Sequence, residues 1–209
     1  MTIEFLQLGP RPARATILLA HGAGAPMDSP GMTGITEALA AEDLRVVRFE
    51  FAYMAGRRKG GSRRPPPRAD KLIPEYLAAI EELQTDGPLI IGGKSMGGRV
   101  ASMISDELFE EGRVVGLLCV GYPFHPIGKP DKLRTEHLEN LQTPTLICQG
   151  TRDQFGSKDE VSSYQLSPAI QIEWFKDGDH DLKPRKRISG FTHGDHMKSM
   201  GAAVSQWIE

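Results

Sequence analysis

Leu89-Ile90-Ile91-Gly92-Gly93-Lys94-Ser95-Met96-Gly97-Gly98-Arg99-Val100 is the stretch from which the rest of the chain can be read. Its first half is a short apolar run, as a strand buried on both faces requires. Its second half opens a segment, 97–110, with Val100, Met103, Ile104 and Leu108 on one side, the spacing of a helix. Between them lies G-x-S-x-G. A serine on a sharp strand-to-helix turn adopts a strained backbone and projects its hydroxyl above the sheet. Residues two before and two after approach closely, so Gly93 and Gly97 avoid a Cβ clash. A helix beginning near Met96 aims free N–H groups at the same point. Ser95 is therefore a candidate nucleophile. Gly93-Lys94-Ser95 also matches the end of a phosphate-binding loop, G-x-x-x-x-G-K-[ST]. That pattern needs glycine at position 88, where Pro88 stands, and Leu89-Ile-Ile leaves no loop to wrap a phosphate.

Outward from this stretch, short apolar runs alternate with amphipathic ones. Ala15–Ala20, Arg45–Phe51, Val114–Val120, Pro144–Gln149 and Ile170–Phe175 read as further core strands, and Ile3–Leu8 as an edge strand. Leu72–Leu83 carries a helical stripe, with Asp70 as a plausible N-cap and Pro74 near its first turn. Asp131–Leu141 and Thr192–Ile208 read as further helices. Gly56–Arg68, with Gly60-Gly61 and Pro65-Pro66-Pro67, reads as a loop inside one domain, because the alternation continues across it. The expected architecture is α/β: a three-layer sandwich with a mostly parallel sheet, one domain over 1–209, and no large cap domain. Residues 52–69 are at most an irregular basic loop or short flap.

In such sheets ligands bind beyond the C-terminal ends of the strands. A serine–acid–histidine relay on this architecture follows the order Ser, Asp/Glu, His along the chain. Asp153 follows the strand ending at Gln149, and His180 follows the one ending at Phe175. In that relay His180 takes the Ser95 proton and Asp153 holds the imidazole tautomer. Asp179 and Asp181 flank His180, but immediate neighbours rarely reach the far ring nitrogen. His193 and His196 are rival bases that open the last helical segment, and His137 is expected at the surface. His21-Gly22-Ala23-Gly24-Ala25 follows the first core strand. Ala23, with Gly24 as its neighbour alternative, is expected to add an oxyanion N–H to that of Met96, while His21 supports the loop. Tyr53, Tyr122, Phe124 and Phe155 follow strands and are candidate pocket residues beside Gly24. No metal-ligand spacing occurs, so neither metal nor cofactor is expected.

The 209 residues include 25 Lys+Arg and 27 Asp+Glu, with 39% hydrophobic and 25% charged residues. Such a balance is that of a soluble globular domain and excludes chain-wide disorder, collagen and a disulfide scaffold. No apolar run approaches the roughly 18–20 residues of a membrane span, and the start lacks a signal-peptide pattern. Cys119 and Cys148 sit in strand-like runs and are expected as buried free thiols, which fits the cytoplasm. The charge is uneven. Arg57, Arg58, Lys59, Arg63, Arg64 and Arg68 form one basic segment, and Lys183, Arg185, Lys186 and Arg187 another. Without those ten the chain has a net charge of −12. Both segments follow strands, so they are expected at the ligand face, where they would steer an anionic small-molecule substrate or stand as solvated loops. Nucleic acid is disfavoured, because no recognised binding motif accompanies them. Oligomeric state is not readable.

Taken together, His21-Gly-Ala-Gly-Ala, Gly93-Lys-Ser-Met-Gly-Gly-Arg99, Gly121-Tyr-Pro-Phe-His-Pro-Ile-Gly-Lys-Pro130, Gly150-Thr-Arg-Asp-Gln-Phe-Gly156 and Asp177-Gly-Asp-His-Asp-Leu182 resemble a set of small α/β-hydrolases. The set includes bacterial dienelactone-hydrolase-like proteins, the testis-expressed protein 30 group and the hydrolase-like domain of subunit 3 of the non-specific lethal acetyltransferase complex. The resemblance implies the α/β-hydrolase fold and a Ser-Asp-His triad, not a substrate. True dienelactone hydrolases use cysteine where this chain has Ser95, so dienelactone is a poor substrate expectation. Some relatives are scaffold subunits, so fold alone does not establish catalysis. Esterase or thioesterase activity on a small substrate is the expectation. A non-catalytic interaction module using the basic face is the alternative.

Overall fold

A computed structural model describes residues 3–58, 60–61, 65–85 and 87–209. Seven strands form one sheet: β1 Leu6–Leu8, β2 Thr16–Ala20, β3 Arg45–Phe49, β4 Leu89–Lys94, β5 Gly116–Val120, β6 Thr145–Gly150 and β7 Ile170–Phe175. Their order is β1-β3-β2-β4-β5-β6-β7. Only β1, at the edge, runs antiparallel to its neighbour. The helices are α1 Pro30–Ala40, α2 Ala52–Arg58, α3 Ile73–Glu82, α4 Met96–Ser102, α5 Ser105–Glu110, α6 Lys158–Val161, α7 Lys186–Ser189 and α8 His193–Trp207. No helix among the described residues is long and apolar enough to cross a membrane.

The apolar runs are continuous because both sheet faces are covered. Ile17 and Leu19 of β2 pack with Met32, Ile35 and Leu39 of α1 and Met200 and Val204 of α8. Leu18 and Ala20 point the other way, towards Tyr76 of α3 and Val100 and Ala101 of α4. Cys119 and Cys148 are buried free thiols in opposite layers, so the sheet itself separates them. Tyr76 reaches into the sheet, where its hydroxyl accepts from Gly92 N at 2.9 Å and lies 2.9 Å from Leu18 O and 2.7 Å from Gly92 O.

Several elements differ from the sequence expectation. Helix α1 arises in a stretch to which no element was assigned. Pro30 occupies its first turn, where a missing N–H costs nothing. The single helix expected over 97–110 is two. Ser102 Oγ donates to Arg99 O at 2.8 Å, and such back-bonding bends a helix, which here ends before Ile104. Asp70 caps nothing: 69–72 is a 3-10 turn, and α3 begins after Leu72 with Pro74 in its first turn. The segment 131–141 contains only the 3-10 turn Glu136–Leu138, because only Thr135, Leu138 and Leu141 are buried there and a full helix would have no core to face. The start of 52–69 is helical, not irregular, since Met54 is buried and Glu75 accepts the Ala52 N–H at 2.6 Å.

The chain leaves β2 towards β3 and returns to β4 on the other side of β2. That reversal opens a crevice above the C-terminal ends of β2 and β4, the standard ligand position of such sheets. The loop 21–25 and the turn at Ser95 both lie there.

Candidate active site

Ser95 has φ 53° and ψ −115°, a positive φ that a non-glycine residue holds only when its surroundings impose it. Here Ser95 N donates to Val120 O at 3.0 Å and Arg99 N donates to Ser95 O at 3.0 Å. The flanking glycines are required sterically. A Cβ on Gly93 would lie 2.5 Å from Ala20 O, and one on Gly97 2.3 Å from the same oxygen.

Three loops converge on this turn. His180 Nε2 lies 2.8 Å from Ser95 Oγ, and His180 Nδ1 lies 2.8 Å from Asp153 Oδ2. An ionised carboxylate only accepts, so Nδ1 donates and Nε2 is left to accept the serine hydroxyl. Asp153 is fully buried, and its second oxygen accepts Phe155 N at 2.9 Å. The flanking acids turn elsewhere. Asp179 Oδ1 accepts the N–H groups of Asp181 and Lys183, and Asp181 pairs with Lys94 at 3.4 Å. The rival histidines are also engaged: His193 Nε2 lies 3.1 Å from Asp181 O and His196 Nδ1 2.8 Å from Leu182 O.

The loop after β2 is fastened from behind. Buried His21 lies 2.6 Å from Gly22 O through Nδ1 and accepts Phe51 N through Nε2 at 3.2 Å, which fixes the Nδ1–H tautomer. Burial lowers its pKa, so it stays neutral. The N–H groups of Ala23 and Met96 find no acceptor among the described residues, and both residues line the cleft at Ser95.

Two clefts of about 450 and 500 Å³ meet at Ser95, Ala23 and Phe155. Gly24 and His180 line the second. Phe155 packs on the His180 ring with centroids 4.3 Å apart, sheltering it from water. Tyr53 stands behind the loop, its hydroxyl donating to Ala23 O at 3.1 Å, and lines neither cleft. Tyr122 and Phe124 are not pocket residues. Both are fully buried core, with Pro123 between them at the cleft wall. An aromatic after a strand can turn either way, and here the free space lay inward.

Four side chains carry weight that motif reading did not find. Fully buried Gln149 donates through Nε2 to Asp153 Oδ2 at 3.0 Å and accepts Tyr122 N at 2.7 Å. Lys94 Nζ donates to His180 O at 2.8 Å; burial lowers its pKa, opposed by Asp181 and Asp153. Arg99 and Arg134 line the first cleft. Being the last residue of β6 but one was the only available signal for Gln149. His137 is not a surface residue: it lies 2.8 Å from Ser102 Oγ, and burial together with nearby Arg99 pushes its pKa down to about 4.

Four residues of the basic rim are drawn into local pairs. Arg58 holds Asp28 at 2.6 Å and Glu50 at 3.0 Å, Arg68 holds Asp70 at 3.1 Å, Lys183 lies 3.5 Å from Asp181, and Arg185 binds Asp177. Lys59, Arg63 and Arg64 lie outside the described residues. Nearby acids, Asp28 and Glu50 among them from outside the two segments, thus offset part of the expected positive field.

A profile described as "Alpha/beta hydrolase domain" matches residues 13–209. Among solved structures, an alpha-beta serine hydrolase homologue from Coxiella burnetii superposes with a TM-score of 0.70 at 17% identity, over 98% of this chain and 90% of that one. A dienelactone hydrolase from Anabaena variabilis gives 0.71 at 18% identity, over 98% and 90%. A lid-less a/b serine hydrolase from Xanthomonas campestris gives 0.66 at 18% identity, over 98% and 89%. At these identities the likeness is one of fold.

Proposed function

The chain belongs to the alpha/beta hydrolase domain family, and on that premise we propose that it is a serine hydrolase that cleaves a small ester or thioester through an acyl-enzyme. One observation carries the reading: the continuous hydrogen-bonded chain from Ser95 Oγ through both nitrogens of His180 to buried Asp153, each link 2.8 Å. Ser95 Oγ attacks the acyl carbon while His180 Nε2 takes its proton. The carbonyl oxygen becomes an oxyanion and accepts the N–H groups of Ala23 and Met96, which have no competing acceptor among the described residues. The tetrahedral adduct collapses, and His180 returns the proton to the departing alcohol or thiol. Water then repeats the sequence, with His180 as base and then acid, and frees the carboxylic acid. Asp153 keeps the ring in the productive tautomer throughout.

The same reading takes residues 1–209 as one hydrolase domain within the dienelactone-hydrolase-like, testis-expressed protein 30 and non-specific lethal subunit 3 group. Its motifs at Ser95, Asp153 and His180 support that placement. Two unpaired buried thiols suit a reducing compartment such as the cytoplasm. A structural neighbour from Xanthomonas campestris is described as lacking a lid, and a site without a large cap suits small substrates.

The test is intact-mass analysis after fluorophosphonate treatment. A single adduct on the wild type, missing in Ser95→Ala and strongly slowed in His180→Ala, is the expected result. Folded protein without an adduct would overturn the proposal.

A further inference from the structure

The first cleft carries an unbalanced charge. Its walls include Ser95 and Met96 together with Arg68, Asp70, Arg99 and Arg134. Asp70, the one acid lining it among the described residues, is already paired with Arg68. Arg99 and Arg134 have no ion-pair partner and no side-chain hydrogen bond among the described residues, and Arg99 Nε is buried without an acceptor. Arg58, Arg113, Arg152 and Arg185, by contrast, all hold carboxylates.

Two half-buried guanidinium groups that face one cavity repel each other. The repulsion is felt at Arg134, whose pKa is lowered by desolvation and then by Arg99. Two other titratable groups face the pair: the Tyr122 phenol, pushed up by burial, stays neutral, and His137 stays neutral above about pH 4, so neither adds charge or relief. Asp106, within electrostatic reach of His137, has its carboxylate occupied by the N–H groups of Gln142 and Thr143. An arrangement of this kind is costly in the unliganded protein and is relieved by an oxyanion placed between the two forks, since guanidinium groups bind carboxylate and phosphate with charge-assisted, often bidentate bonds.

We propose that Arg99 and Arg134 form an oxyanion-binding subsite, and that the substrate is an ester or thioester whose far end carries a carboxylate or phosphate group. The proposal rests on the serine-hydrolase reading. Arg99 lies one helical turn beyond Ser95 in α4, its N–H bonded to Ser95 O, so the anion is held at a set distance from the reacting hydroxyl. Anchoring a remote charge spends binding energy on orienting the acyl group.

The experiment compares p-nitrophenyl hexanoate with the p-nitrophenyl monoester of adipic acid and with a phosphonate-terminated ester of the same length. The readout is the ratio of kcat/KM for the charged ester over the neutral one. The wild type is expected to favour one or both charged esters, and which one identifies the anion. Arg99→Met and Arg134→Met are each expected to lower that ratio about 10- to 100-fold, the size of a lost charge-assisted hydrogen bond. Arg134 lies in a loop, so its variant keeps the test open should Arg99→Met not fold. A ratio that neither variant moves would overturn the subsite, because a merely structural role changes all three esters together. Fluorophosphonate labelling of the same preparations separates the two proposals. Labelling without any charge preference leaves the hydrolase and removes the subsite. If no label forms, calorimetric titration of adipate and of inorganic phosphate into Ser95→Ala decides: binding abolished by Arg134→Met upholds the subsite, and no binding of either refutes it.

Discussion

Lys94 Nζ donates to the main-chain oxygen of His180 at 2.8 Å, joining residues 86 apart in sequence. The residue before the proposed nucleophile thus holds the backbone of the proposed base. Its ammonium also lies 3.4 Å from Asp181, so the loop 177–183 is anchored to the end of β4 at two points. Loss of that anchor lets the imidazole drift from Ser95 without altering any reacting group.

Lys94→Met is accordingly expected to lower kcat by about 10- to 100-fold, the range of one charge-assisted hydrogen bond, with a smaller change in KM. Lys94→Arg should recover part of the loss. Steady-state kinetics on a neutral ester, with the rate of fluorophosphonate labelling alongside, checks this. Unchanged labelling in Lys94→Met would remove the positioning role.

Gln149→Met leaves Tyr122 N–H unpartnered inside the core and strips one donor from Asp153 Oδ2. An unsatisfied buried group costs about 1–3 kcal/mol, so the unfolding free energy should fall by that amount and the urea midpoint with it. Asp153→Asn goes further on activity and less far on stability. Its amide can present a donor to His180 Nδ1 and stabilise the wrong tautomer, with a loss in kcat on the order of 10⁴-fold expected. Urea titration and kcat measured on the two variants should order them oppositely.

Ser95 sits at φ 53°, which glycine adopts freely and serine does not. Ser95→Gly should abolish hydrolysis and raise stability by about 1 kcal/mol, or roughly 2–4 °C in Tm for a chain of this size. A lower Tm for Ser95→Gly than for the wild type would show that the turn is not strained.

His137 couples stability to pH. Its folded pKa is pushed from 6.5 down to about 4 by burial and by Arg99. Between those values the unfolded chain binds a proton that the folded protein refuses, so stability falls as pH drops from 6.5 towards 4 and this contribution levels off below. The shift corresponds to about 3 kcal/mol at the acid end. His137→Gln keeps a donor for Ser102 Oγ and does not titrate. Urea midpoints at both ends of that window should show a smaller acid loss in the variant. Equal losses would place the coupling in other groups.

Local pattern reached far in this chain because its strong signals are local ones. Strand runs at 16–20, 89–93, 116–120 and 145–149 are buried on both faces and therefore uninterrupted, whereas the edge run 170–175 is buried fully only at Phe175. The turn at Ser95 needs glycine on both sides, a constraint spanning five residues. Asp153 and His180 were legible because each follows a strand and their order along the chain is set by the topology. Helix α1 was missed although Pro30 and the Met32, Ile35, Leu39 stripe mark it.

What the tertiary structure alone decided are the matters that depend on which distant side chain arrives first. Whether Tyr122 and Phe124 face the cleft or the core depended on space left by other elements, and they filled the core. Whether a basic run makes a positive field depended on where Asp28, Glu50 and Asp177 fold, and they fold against it. The roles of Lys94 and Gln149 are not local, because Lys94 reaches His180 and Gln149 reaches Tyr122, and Arg99 and Arg134 come to one cleft only through the fold. Backbone turns and strand burial are properties of neighbours in sequence, and those the amino-acid order determined by itself. Charge balance and pocket lining are sums over residues that only the closed sheet brings together.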